Sequence, residues 1–66
     1  MIKFEMCDTV EVVNGERKFI GEVGKVLLTV NITPTEIGSV MVGFEDDRFS
    51  FFNVEDLKLV KKYYEQ

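Results

Sequence analysis

Residues 39–52 read Ser-Val-Met-Val-Gly-Phe-Glu-Asp-Asp-Arg-Phe-Ser-Phe-Phe, two apolar runs on either side of an acidic tip. Valine and phenylalanine favour the half-buried, pleated surface of a strand, and two such runs around a short polar turn are a hairpin signature. With either a two-residue Asp46-Asp47 turn or a four-residue loop, Phe44 is expected opposite Phe49 and Val42 opposite Phe51. That register lines one face with Val40, Val42, Phe44, Phe49 and Phe51 as a core. Aromatic and β-branched cross-strand pairs of this kind contribute roughly 0.2–1 kcal/mol each. The opposite face then pairs Glu45 with Arg48, Gly43 with Ser50 and Met41 with Phe52. The last pair is apolar on the side expected to meet solvent.

The rest of the chain divides at its turn residues. Thr9-Val10-Glu11-Val12-Val13 alternates and is closed by Asn14-Gly15, two residues that tolerate positive φ. Residues 16–24 are mostly polar, with Phe19-Ile20 the main exception, and carry Gly21 and Gly24, which indicates a long surface loop. Residues 25–32 place Val26, Leu28, Val30 and Ile32 on one face, with Leu27 breaking the polar side. Thr33-Pro34-Thr35-Glu36-Ile37-Gly38 interrupts the strand pattern, because proline cannot donate to a ladder. Asn53-Val54-Glu55-Asp56-Leu57 suggests one 3₁₀ turn entered through an Asn cap, and Leu57-Lys58-Leu59-Val60 a short closing strand. The competing reading is a helix over 54–64, where Val54, Leu57, Val60 and Tyr64 fall near helical spacing.

Composition agrees with an all-β chain. Its 66 residues suffice for one domain, include no Ala and are 45% hydrophobic with six Phe. A core of this size supplies at most about 3–5 kcal/mol of net stability. Cys7 is the only cysteine, so no intrachain disulfide is available, and a cytoplasmic protein is expected. The start Met-Ile-Lys-Phe-Glu-Met-Cys-Asp lacks the apolar stretch of a secretion signal, and no apolar run reaches membrane-spanning length. Twelve acids against eight bases give a net charge of −4, which disfavours non-specific binding to nucleic acid. There is no His to act as an acid, a base or a metal ligand.

The order is strand, long loop, strand, loop, strand, tight turn, strand, 3₁₀ turn, strand, and it resembles the SH3-like barrels. Asp8-Thr9-Val10-Glu11-Val12, Gly21-Glu22-Val23-Gly24-Lys25-Val26, Val40-Met41-Val42-Gly43-Phe44-Glu45-Asp46 and Phe52-Asn53-Val54-Glu55-Asp56-Leu57 carry the likeness. The glycine-flanked Glu-Val-Gly-Lys-Val looks like the KOW-type ribosomal and transcription-factor barrels, and more like the photosystem I subunit PsaE and its relatives. The resemblance implies a five-stranded SH3-like barrel over 1–60, with a 3₁₀ turn before the last strand and a tail over 61–66. PsaE-like chains usually carry a basic residue facing an acidic redox partner where this chain has Gly43, so that role is not carried over. The Ala-Leu-Tyr-Asp-Tyr loop and the Trp by which signalling SH3 domains read proline-rich peptides are both missing.

The candidate sites are those of a binding protein. Glu45-Asp46-Asp47 with Glu55-Asp56 lacks the spacing of a calcium loop, so no metal site is assigned. No general base stands beside Cys7 or any Ser or Thr, so neither a catalytic residue nor a cofactor is assigned and no enzyme is expected. Phe19 and Ile20 in their polar loop, with Met41 and Phe52, form the candidate protein-binding surface. Tyr63 and Tyr64 could cover Met41 and Phe52 or dock themselves. The expectation is a protein–protein binding module, either an accessory subunit or a small regulatory protein such as mobile elements and bacterial viruses encode. One alternative is a nucleic-acid-associated KOW-like barrel using Arg17, Lys18, Lys25, Lys58, Lys61 and Lys62. Another is an acidic decoy that inhibits a DNA-binding protein.

Overall fold

The structure, a computed structural model, describes residues 4–65. Its strands are β1 (Thr9–Val12), β2 (Val23–Thr33), β3 (Glu36–Gly43), β4 (Phe49–Asn53) and β5 (Leu57–Lys61). They form one antiparallel sheet in the order β4-β3-β2-β1-β5. Among the described residues no ladder joins β4 to β5, so the expected barrel is an open sheet with two edges. A 3₁₀ turn at Val54–Asp56 precedes β5 and another at Tyr63–Glu65 follows it. The helix considered over 54–64 does not form. Leu57 and Leu59 instead pair with Val12 and Val10, which turns both leucines toward the core, as strand alternation requires.

The inner face of the sheet holds the core. Val10, Val12, Val26, Val40 and Val42 are fully buried, and Phe44, Phe52 and Leu57 nearly so. Gly24 lies on this face opposite Val10, where a Cβ would stand 2.5 Å from the Gly43 carbonyl oxygen and 2.7 Å from Val42. Only glycine lets β2 approach β3 that closely. The β1–β2 loop closes through backbone bonds from Val12 to Glu22 (3.0 Å) and from Gly21 to Val12 (2.8 Å), with Gly21 at φ 89°.

Two expected face assignments are overturned, each by a single residue. In the hairpin the Phe44 N–H donates to the Arg48 carbonyl (2.8 Å), and the ladder pairs Gly43 with Phe49, Val42 with Ser50, Met41 with Phe51 and Val40 with Phe52. The connection is a three-residue loop ending on Asp47 in the left-handed region (φ 65°), a conformation that Asp tolerates better than most residues. The odd loop length slips β4 by one position and so exchanges its faces. Phe52 turns inward, while Phe49 and Phe51 turn outward. In β2 the register shifts between Val26 and Leu28, which marks a bulge at Leu27. Val26 stays inside and Leu28 and Val30 go outside, instead of sharing one face as the alternation implied.

Both ends of the described chain fasten to Asp8, the one buried charged residue in this range. Its carboxylate accepts hydrogen bonds from the Glu5 N–H (2.8 Å), the Lys62 Nζ (2.8 Å) and the Tyr63 N–H (3.0 Å). Burial pushes the Asp8 carboxyl up, but Lys62 and the two backbone donors outweigh it and hold the group below the usual carboxylate range. The same bonds, with Glu5 3.0 Å from Nζ, raise Lys62 above its ordinary value.

Candidate binding face

The slipped hairpin and the bulged β2 place apolar residues on the outer side of β2-β3-β4. Leu28, Met41 and Phe51 form one row across the three strands. Lys25, Gly43 and Phe49 form the next, and the Leu27 side chain leans over Gly43. Phe49 is 61% exposed and Phe51 55%, whereas Phe52, the next residue in sequence, is 7% exposed. Leu27, Leu28 and Val30 are each more than two-fifths exposed, and Met41 is half-buried at the centre. At roughly 150–250 Å² per aromatic and somewhat less per aliphatic side chain, half-exposure leaves on the order of 500 Å² of apolar surface uncovered. The largest such patch on a typical monomer is about 300–600 Å² and often functional.

Two hollows flank β4. One, of about 550 Å³, lies on the outer face over Gly43, between Val23, Leu27 and Phe49, with Lys25, Glu45 and Asp47 at its rim. Leu27 forms part of its wall by closing over Gly43, where a Cβ would meet it at 2.9 Å. The other, of about 290 Å³, lies between the β1–β2 loop and β4, with Glu16, Ser50, Asn53 and Asp56 in its wall.

The four residues expected to bind protein do not share a surface. Phe19 is buried, its ring stacked on Phe44 and edge-on to Phe52, both at 5.4 Å between centroids. It plugs the end of the core beneath its loop, and Phe52 faces the same interior opposite Val40. Ile20 is exposed on the loop, while Met41 belongs to the outer face. Of the expected set only Met41 thus lies in the apolar patch, whose larger members, Phe49 and Phe51, are core residues in the register expected from the sequence. The sign that could have found them is Asp47: an Asp ending a hairpin tip admits the left-handed residue of an odd loop. Tyr63 and Tyr64 contact each other edge-on at 5.4 Å, and the Tyr63 amide is bound by Asp8.

The basic candidates are dispersed as well. Arg17 and Lys18 lie on the β1–β2 loop, where Lys18 sits over the Phe19 ring (5.2 Å) and 3.6 Å from Glu16. Lys25 and Lys61 both pair with Thr9, on either side of it, and Lys58 pairs with Glu11. Lys62 is held by Asp8 and Glu5. Arg48 bridges Asp46 and Glu22 and lies over the Phe19 and Phe44 rings at 5.9 and 5.5 Å. Its hydrogen bond keeps the Asp46 carboxyl below the usual range.

Among the described residues no group of three or more His, Cys, Asp or Glu side chains could hold a metal ion, and no helix is long and apolar enough to cross a membrane. Cys7 is exposed, with φ 73°. No family model, characterised protein or solved structure matches the chain.

Proposed function

We propose that this chain is a non-enzymatic protein-binding module of the SH3-like group, acting as an accessory subunit or small regulatory protein. Its docking surface is the outer face built on Leu27, Leu28, Met41, Phe49 and Phe51. The order of strands and the 3₁₀ turn ahead of β5 support the SH3-like reading. One observation carries the functional reading: two adjacent phenylalanines, Phe51 and Phe52, have opposite fates, and the exposed one stands in a row of apolar neighbours. Exposed aromatics and methionine are enriched at the centres of interfaces, where burying them on a partner supplies most of the affinity.

The nucleic-acid reading would use Lys25, in the row of Phe49, and Lys61, two strands beyond Lys25 across Thr9, but Glu45 and Asp47 line the same hollow as Lys25 and the whole chain carries a charge of −4. The decoy reading has acids in number, yet Arg48, Lys18 and Lys62 neutralise several of them locally. Affinity capture from the source cell with the native chain and with a Phe49→Ser/Phe51→Ser variant tests the proposal, folding being checked by amide NMR spectra. A protein partner retained by the native chain and lost by the folded variant is the expected result. Equal capture by both chains would refute the docking face. Nucleic acid captured in a salt-sensitive manner would favour the rival reading.

A further inference from the structure

The binding reading above leaves open what kind of partner segment fits, and the edge of β4 narrows it. The Phe44–Arg48 bond makes that position a hydrogen-bonded pair, and such pairs alternate along an antiparallel ladder. Ser50 and Phe52 therefore bond inward to β3. The N–H and C=O groups of Phe49 and Phe51 point away from β3, toward the open edge. No other backbone bond takes them up among the described residues.

The two edges of the sheet differ in protection. Proteins commonly guard an edge strand with lysine, proline or inward charge. The β5 edge follows that rule with Lys58 and Lys61. The β4 edge reads Phe-Ser-Phe-Phe-Asn, with no charge and no proline.

Acids bracket this bare edge at both ends. Glu45 and Asp47 stand at the rim of the outer hollow where β4 begins, and Glu16 and Asp56 in the wall of the second hollow where it ends. Of the bases near the strand, Arg48 is engaged by Asp46 and Glu22, and Lys25 lines the outer hollow from β2, on the side away from the open edge. A second copy of the chain, paired edge to edge in either direction, would set these acids against acids. Phosphate would be repelled by them.

We propose that β4 accepts an extended partner segment as an added strand. The segment would be about five residues long, matching roughly 17 Å of strand, apolar at alternate positions and flanked at both ends by Lys or Arg. Its backbone would bond to Phe49 and Phe51, its apolar side chains would cover their rings, and its basic ends would meet Glu45 and Asp47 at one end and Glu16 and Asp56 at the other. Main-chain bonds supply affinity in this mode and the alternate side chains supply specificity.

The test is amide NMR titration of the full chain with a synthetic nine-residue peptide, Val and Thr alternating over five positions between two Lys pairs. Two controls carry the same core: one between Glu pairs, and one N-methylated at its valines so that these cannot donate. Shifts centred on Phe49 and Phe51, with binding at least about tenfold weaker for each control, are the expected result. Equal binding of the N-methylated peptide with shifts at Leu28 and Met41 would overturn strand addition while leaving the docking face standing. Equal binding of the Glu-flanked peptide would overturn the basic flanks. No shift at millimolar peptide would overturn the inference as a whole, as would self-association of the chain alone through β4. The docking face itself fails separately, if a captured partner ignores the Phe49→Ser/Phe51→Ser variant.

Discussion

The two sides of the β3–β4 hairpin are built from the same kinds of residue and do different things. Inside, Val40, Val42, Phe44 and Phe52 are closed off from water, and Phe19 joins Phe44 and Phe52 in a cluster of three rings. Outside, Met41, Phe49 and Phe51 are as apolar but keep much of their surface in solvent. Apolar content therefore does not identify a core. The faces differ by one residue of register, and a side that the fold leaves uncovered is available to a partner.

Substitutions should separate the two faces by size of effect. Phe52→Ala removes a ring from the three-ring cluster and is expected to destabilise the chain by about 3–5 kcal/mol. For a domain this small such a loss approaches complete unfolding, read by circular dichroism and urea titration. Asp8→Ala should come next, at about 1–3 kcal/mol, because it takes the acceptor from the part-buried amide bonds of Glu5 and Tyr63 and removes a partner of Lys62.

The pH dependence sharpens this second prediction. A carboxyl held below its unfolded value contributes stability that is fully present above the unfolded pKa, about 3.9, and is lost as pH falls through the folded value. Lys62 is raised, so its contribution is complete below the unfolded pKa of about 10.4 and fades as pH climbs through the folded value. Denaturation midpoints across pH should therefore fall off at both extremes in the native chain. In Asp8→Ala the acid limb should flatten. Smallest of all, Phe49→Ser and Phe51→Ser should each change stability by no more than about 0.5 kcal/mol in the same urea titration. Losses of several kcal/mol would show that the outer face is a core after all.

Much of this fold is legible in the chain. Asn14-Gly15, the Pro34 turn and the Asp-rich tip punctuate the strands close to where they lie, because turn residues act through their own backbone preferences. The 3₁₀ turn starts after Asn53 as expected, although the Asn53 side chain makes no capping hydrogen bond. The faces are less legible. Period-two patterning shows that residues alternate but not which set points inward, and Phe49-Ser50-Phe51-Phe52 places rings on both sides. The odd loop ending on Asp47 and the bulge at Leu27 each shift parity by one, through φ/ψ choices that hydrophobicity does not encode. Gly43 is a similar case: the Leu27 side chain lies where its Cβ would stand, a contact set by the bulge in β2.

The register of the hairpin is the hinge of the account, and through-space NMR contacts between Hα protons read it directly. Facing residues of a non-hydrogen-bonded pair bring their Cα atoms to about 4.5 Å, close enough for a strong Hα–Hα signal. Cross-peaks between Met41 and Phe51 and between Gly43 and Phe49 are the predicted result. Cross-peaks joining Val42 to Phe51 or Phe44 to Phe49 would return those rings to the interior and remove the proposed binding face.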